Sequence, residues 1–243
     1  MKIKNGIILT GGTGTRLAPQ TSLTNKHLVL LNKKLVIDYP IENLKSIGVE
    51  NLYVILGGNH FSHVVDYLKD GEQYGMSITY IYQKTPSGIA QAINLTKPFL
   101  DHASNFAVIL GDNIYDTQFE FNDSKAKCQV VLANHKELNR FGVASVKDSK
   151  IIDIQEKPKQ LNPDCKNYAI TGCYMFDNSY FDLFKNLQPS ARGEYEITDI
   201  IDQYNKQGEV DFTIYNGLWS DAGTHESLLF LNNYFYYKNF KDH

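Results

Sequence analysis

Short apolar runs that end in glycine alternate with segments of helical periodicity through the first half of the chain. Ile7-Ile8-Leu9 runs directly into Thr10-Gly11-Gly12-Thr13-Gly14-Thr15-Arg16, the pattern of a buried strand emptying into a tight glycine loop. Ile37, Ile41, Leu44 and Ile47 recur at helical spacing within Val36 to Ile47, and Asn51 to Leu56 reads as a second buried strand before Gly57-Gly58. The alternation continues with a helix near Phe61 to Leu68, a strand over Ile78 to Gln83, a helix from Ile89 to about Phe99 and a strand over Phe106 to Leu110. It predicts a mainly parallel sheet with helices on both faces. After Asp116 the rhythm changes, with strand-like runs at Gln129 to Ala133, Gly142 to Val146, Ile151 to Gln155 and Ala169 to Phe176 and little helix between them. This half is expected to be mixed or antiparallel. Helices return at Tyr180 to Leu187 and Glu196 to Tyr204, a strand follows at Asp211 to Tyr215, and a last helix runs from about His225 to Phe240. The expected fold class is α/β: a Rossmann-like open mixed sheet, mainly parallel and flanked by helices, whose second half adds a small lobe over the strand ends where such sheets place ligands.

Composition narrows the class of partner. The 243 residues suit one or two domains, and without an internal repeat or low-complexity linker they read as one, 1–243. A 42% hydrophobic and 21% charged chain is that of a globular protein and excludes disorder. The 24 Lys+Arg against 27 Asp+Glu leave a net charge of -3, so no excess positive field draws nucleic acid or an anionic membrane. Apolar runs such as Leu52 to Leu56 and Ala107 to Leu110 fall far below the ~18 residues a membrane helix needs. The stretch Ile7 to Leu9 is too brief for a secretory signal, so export is not expected. Cys128, Cys165 and Cys173 show no paired spacing, which argues against a disulfide framework or cysteine zinc site and for a reducing cytoplasm.

Candidate chemistry gathers at the ends of the apolar runs. The loop from Gly11 to Leu17 lacks the Gly-Lys-Ser/Thr of a P-loop, and a dinucleotide pattern begun at Gly12 breaks at Leu17. What remains is a backbone that turns sharply and aims N–H groups at a phosphate, with Arg16 to grip phosphate oxygens and Lys26 as a second cation. Asp112, in Gly111-Asp112-Asn113, stands where a strand delivers a carboxylate to the sheet edge, a placement that suits Mg²⁺ or a plain turn. Asp221, in Trp219-Ser220-Asp221-Ala222-Gly223-Thr224, reads as a second carboxylate or a helix cap. Glu156-Lys157-Pro158 pairs an acceptor with a phosphate-seeking cation, or forms a surface salt bridge. Gln83 and Ser87-Gly88-Ile89-Ala90-Gln91 place an amide and a glycine turn at a strand-to-helix junction. His60 and His63 share a helical face without the further ligands a zinc site needs.

Taken together, six segments resemble bacterial sugar-1-phosphate nucleotidylyltransferases, most closely the glucose-1-phosphate thymidylyltransferase branch. They are Gly11 to Pro19 with Thr21 and Lys26, Gly111-Asp112-Asn113, Phe141-Gly142-Val143, Glu156 to Lys159, Arg192 to Asp199, and Trp219 to Ser227, in order over about Gly6 to Leu229. The resemblance implies nucleotidyl transfer from dTTP to glucose 1-phosphate, giving dTDP-glucose and pyrophosphate, with Mg²⁺ as cofactor. It implies a nucleotide-binding half over about 1–116 and a sugar-phosphate-binding half over about 117–243. It assigns Leu9, Gly11, Gly12, Thr13, Gly14 and Thr15 to the nucleotide, with Arg16 and Lys26 as phosphate cations and Gln83 and Gly88 at the pyrimidine base. Asp112 and Asp221 match the metal carboxylates, Lys157 the lysine on the sugar phosphate, and Gly142, Glu156, Thr171 and Gly172 the hexose contacts.

The chain departs from the family's Leu-Leu-Pro and Lys-Pro signatures at Leu28-Val29-Leu30 and Lys34-Leu35, which leaves the phosphate cations in place. It reaches His243 soon after the last helix begins, so the secondary regulatory nucleotide site built on further helices in longer relatives is not expected. Other readings stay open: UTP or CTP in place of dTTP, a non-catalytic nucleotide-sugar sensor, and a glycosyltransferase, though the last would show Asp-x-Asp where this chain has Gly111-Asp112-Asn113-Ile114. The aromatic run Tyr234-Phe235-Tyr236-Tyr237 with Phe240 reads as a packing face of the last helix and a candidate contact within a homo-oligomer.

Overall fold

A computed structural model describes residues 3–100 and 105–241, with side chains as far as Lys238. The first half is a parallel sheet. Strand β1 (Asn5–Thr10) is followed by a hairpin, β2 (Leu30–Leu31) and β3 (Lys34–Leu35), then α1 (Asp38–Ser46), β4 (Asn51–Leu56), α2 (Phe61–Leu68), β5 (Ser77–Tyr82), α3 (Ile89–Asn94) and β6 (Phe106–Leu110). β1 pairs in parallel with β4 on one side and β6 on the other, and β5 lies outside β4. The chain thus leaves β1 outward and returns to its opposite side, which opens a crevice beyond the carboxyl ends of β1 and β6. Gly11 and Asp112 are among the residues that line that crevice.

Burial alternates along each strand as its pleat requires. Ile7, Phe106 and Val108 face Ala90 and Ile93 of α3, whereas Ile8, Ala107 and Ile109 face Ile41 and Leu44 of α1 and Val64 and Leu68 of α2. Both faces are covered by helices. The helix expected over Ile89 to Phe99 ends at Asn94: Thr96 donates its hydroxyl to the Ile93 carbonyl at 2.7 Å, and Pro98 has no N–H to give the Asn94 carbonyl.

The second half contributes β7 (Asn113–Tyr115), β8 (Cys128–Ala133), β9 (Gly142–Lys147), β10 (Lys150–Glu156), β11 (Lys166–Phe176), α4 (Tyr180–Lys185), α5 (Ile197–Lys206), β12 (Val210–Tyr215), β13 (Trp219–Asp221) and α6 (His225–Lys241). β11 joins the halves, antiparallel to β6, β8 and β9. β9 takes Lys166 to Ala169 and β6 takes Cys173 to Phe176, successive stretches of one edge of β11, while β8 runs along the other. Between them the register shifts, and Gly172 sits at φ +74° inside the strand. This bulge leaves the sheet open at Thr171-Gly172.

Helix α6 anchors a separate small core. Leu228, Leu231 and Phe235 pack on Leu17, Leu31 and Val36, tying the helix to the segment after the glycine loop. Tyr234 donates to the Asp116 carboxylate, which also takes Lys238 at 3.1 Å. Tyr236 and Tyr237 point outward, 53% and 63% exposed, while the side chain of Phe240 lies outside the described residues. The aromatic run therefore divides between core and surface.

Candidate active site

Two cavities lie in the crevice and meet at Asp112. One, of about 270 Å³, is lined by Leu9, Gly11, Gly12, Lys26, Gln83 and Gly88 among others. The second, of about 420 Å³, lies over the open part of the sheet and takes in Arg16, Gly142, Glu156, Lys157, Thr171, Gly172 and Asp221. Ile89, Leu110 and Asp112 belong to both. Most residues singled out from the sequence thus fall on one continuous surface. Thr13, Gly14 and Thr15 are the exceptions: they form the outer arc of the loop, with both threonines exposed, and line neither cavity.

The loop holds its shape through backbone approaches that leave no room for side chains. Gly14, at φ +65°, accepts from the Thr21 hydroxyl at 2.8 Å, and a Cβ there would strike the same threonine. Gly58, at φ +71°, presses on the loop from the end of β4, its Cβ position only 2.4 Å from the Gly12 carbonyl oxygen. Gly58→Ala is accordingly expected to push the loop outward and destabilise the fold by about 1–3 kcal/mol. The unfolding midpoint should fall, and an unchanged midpoint would contradict that packing.

Asp112 and Asp221 are brought together by the β7–β13 ribbon, in which Asp221 lies opposite Asn113 and the Ala222 amide donates to the Asp112 carbonyl at 2.7 Å. Lys26 Nζ meets Asp112 Oδ2 at 2.5 Å, and Asn113 donates to Oδ1 at 3.1 Å. Burial alone would raise the pKa of Asp112, but Lys26 and His27 outweigh it and hold the carboxyl well below its usual range. Behind it, His27 is fully buried, and Asn25 Oδ1 accepts both its Nδ1–H at 2.7 Å and its backbone N–H at 3.0 Å. That bond sets the tautomer and leaves Nε2 without a partner. Burial, with Lys26 beside it, lowers the imidazole pKa to about 3.

Among the described residues no three His, Cys, Asp or Glu side chains cluster as a metal cage would require. Two carboxylates on one cavity wall instead fit a cation such as Mg²⁺, which takes one or two carboxylates and completes its shell with phosphate oxygens and water. Arg16 and Asp221 flank Gly223, where a Cβ would lie 3.1 Å from the Arg16 guanidinium and 2.9 Å from Asp221 Oδ2.

The larger cavity carries the second set of charges. Lys157 adopts φ +44°, an uncommon conformation for a side-chain-bearing residue, with its amide held by the Phe141 carbonyl at 3.0 Å. Its Nζ lies 3.5 Å from Glu156 Oε1, so the surface ion pair and the cavity wall are the same two residues. Glu156 Oε2 accepts from Thr198, and a Cβ at Gly142 would strike that threonine at 2.5 Å. The Thr171 hydroxyl is committed to the Val131 carbonyl and to Tyr115, both within 2.8 Å. Two cations at this end had no role assigned from the sequence. Arg192 bridges Glu156 and Glu196 at 3.1 and 2.9 Å, and Arg140 stands 3.7 Å from Asp221. Arg140 stands next to Phe141-Gly142, and Arg192 opens the family-like segment Arg192 to Asp199.

A model of the nucleotidyl transferase family matches residues 5–236, nearly the whole described sheet and both cavities. The chain belongs to that family. This nucleotidyl transferase is 37% identical over 232 residues to the glucose-1-phosphate thymidylyltransferase of Neisseria meningitidis, covering 92% of this chain and 79% of that protein. It is 36% identical over 234 residues to the low-salt glycan biosynthesis nucleotidyltransferase Agl11 of Haloferax volcanii, where the match covers 93% of this chain but only 64% of the relative. Among solved structures, a Bacillus anthracis protein assigned as a glucose-1-phosphate thymidylyltransferase and solved with sucrose superposes with a TM-score of 0.87 at 41% identity, over 95% of this chain and 94% of that one. A UDP-glucose pyrophosphorylase complexed with UDP-glucose shares the fold, with a TM-score of 0.81 at 22% identity over 97% and 99% of the two chains. Like them the nucleotidyl transferase is a mixed sheet flanked by helices, and among the described residues no helix is long and apolar enough to cross a membrane.

Proposed function

We propose that this chain transfers a nucleotidyl group from dTTP to glucose 1-phosphate, with Mg²⁺, giving dTDP-glucose and pyrophosphate. The observation that carries the reading is the meeting of two cavities at a paired carboxylate: a phosphate-loop cavity and a cavity edged by Lys157 both open on Asp112. The names of the Neisseria and Bacillus relatives support the choice of dTTP and of glucose 1-phosphate. On this reading residues 1–116 hold the nucleotide and residues 117–243 the sugar phosphate, within one domain.

A phosphate oxygen of the sugar 1-phosphate attacks the α-phosphorus of the triphosphate, a new P–O bond forms, and the bond to the β-phosphate breaks to release pyrophosphate. The nucleophile has a second pKa near ~6 and is largely ionised at neutral pH, so no general base is required. In accord with this, no described histidine lines either cavity. Lys157 positions the attacking phosphate, while Arg16, Lys26 and the loop amides hold the triphosphate in line. Asp112 and Asp221 would hold Mg²⁺, which when bound neutralises charge on the triphosphate.

The test is pyrophosphate release from dTTP, UTP, CTP, ATP and GTP, each with and without glucose 1-phosphate, in the presence and absence of Mg²⁺. Release that needs both substrates and the metal and is fastest with dTTP is the expected result. Release from a triphosphate alone, or none across the panel from folded protein, would overturn it.

A further inference from the structure

We infer that Trp219 is a positioning residue for the paired carboxylates: its indole N–H fixes the Asn113 amide, and that amide fixes the Asp112 carboxylate. This rests on the proposed reaction only in taking Asp112 to hold a divalent cation. Trp219 Nε1 donates to Asn113 Oδ1 at 2.7 Å, and Asn113 Nδ2 donates to Asp112 Oδ1 at 3.1 Å. Trp219 is 6% exposed and Asn113 3%, so water is a poor substitute for either partner.

The direction of this relay is set at both ends. An indole N–H only donates, and an ionised carboxylate only accepts. Asn113 must therefore turn its oxygen to Trp219 and its N–H to Asp112. Turned over, the amide would set donor against donor and acceptor against acceptor, leaving buried groups unpaired. The indole is itself held, its ring centroid 5.0 Å from that of Phe141 and 5.8 Å from that of His135, both edge-on. On the other oxygen of Asp112, Lys26 Nζ stands at 2.5 Å. Each carboxylate oxygen thus has an assigned partner, and of roughly four lone-pair sites two are left for a cation.

The ribbon explains why the donor comes from β13. Trp219 lies two residues before Asp221 on the same face of that strand, and Asn113 is directly opposite Asp221. Asn113 therefore stands across from one carboxylate while it bonds the other. The Ala222 amide on the Asp112 carbonyl sets where Asp112 stands, and the side-chain relay sets how its carboxylate is turned. Metal affinity depends on the second as well as the first, because losing an outer partner of a ligating group costs about 10- to 100-fold.

The experiment titrates Mn²⁺, which takes the same oxygen ligands as Mg²⁺, into the full chain and reads the free ion by electron paramagnetic resonance. Asp112→Asn marks the site by removing the binding. Trp219→Phe keeps an aromatic ring against Phe141 and deletes the indole N–H. The expected result is Mn²⁺ binding about ten-fold weaker in Trp219→Phe, a loss at least as large in Asn113→Ala, and no further loss when the two are combined. Losses that multiply in the double variant would overturn the inference, as would unchanged affinity in Trp219→Phe or a wild type that binds no Mn²⁺. A second readout does not depend on the folding of Asn113→Ala. In Trp219→Phe the Mg²⁺ needed for half-maximal turnover should rise about ten-fold while KM for glucose 1-phosphate moves little. A rise confined to KM for glucose 1-phosphate would overturn the relay and leave Trp219 as a wall of the larger cavity, which it also lines. The expected Mn²⁺ results without pyrophosphate release would instead contradict the proposed reaction and leave the role of Trp219 standing.

Discussion

Replacing Asp112 by Asn is expected to cut turnover roughly 10²- to 10³-fold while the chain stays folded. Asn keeps the shape of the side chain but removes the charge that meets Lys26 at 2.5 Å and faces both cavities. Asp221 does not compensate, because the ribbon holds it on the opposite strand and Arg140 already draws on its charge from 3.7 Å. The stability cost is smaller, on the order of 2 kcal/mol, since Lys26 loses its partner yet keeps a route to water. Steady-state rates at saturating Mg²⁺, set beside circular dichroism and the unfolding midpoint, separate the two effects. Retention of more than a tenth of wild-type turnover by folded Asp112→Asn would remove Asp112 from the catalytic machinery.

That prediction depends on a contact only partly visible in the sequence. The strands leading to the site were legible because each is an apolar run closed by glycine: Phe106 to Leu110 agrees residue for residue, and Asn51 to Leu56 likewise. The ribbon that unites Asp112 with Asp221 was not. Asn113-Ile114-Tyr115 and Trp219-Ser220-Asp221 are three residues each, too short for a period to show, and their pairing spans more than a hundred residues. Gly172 carried no sign of the bulge it makes, because its effect depends on β6 and β9 sharing one edge of β11. Arg140 and Arg192 drew no role in the sequence, because only tertiary structure sets Asp221 beside Arg140 and Glu156 beside Arg192. Residue type and local spacing announced the chemistry; long-range pairing decided its geometry.

His27 had no reading in the sequence, yet it is expected to govern stability in mild acid. In the folded chain its pKa is lowered to about 3, against 6.5 for a free imidazole. Between those values the unfolded chain binds the proton and the folded chain does not, so acidification favours unfolding throughout that window. Each pH unit costs roughly 1.4 kcal/mol, or about 3 kcal/mol by pH 4, and above pH 6.5 the histidine adds no pH dependence. Asp112 acts in the same direction but at lower pH, because its folded pKa is depressed below a carboxylate's ordinary value and its contribution fades only as that range is crossed. His27→Leu fills similar volume, discards the unpartnered Nε2 and cannot take up a proton. Denaturant unfolding with a chelator present, from pH 7 to pH 4, should therefore give a steep loss of stability in the wild type and a curve flatter by about 3 kcal/mol in His27→Leu. Parallel curves over that interval would mean that His27 ionises freely in the folded chain, and that the wall behind Asp112 is not the dry, neutral surface its burial describes.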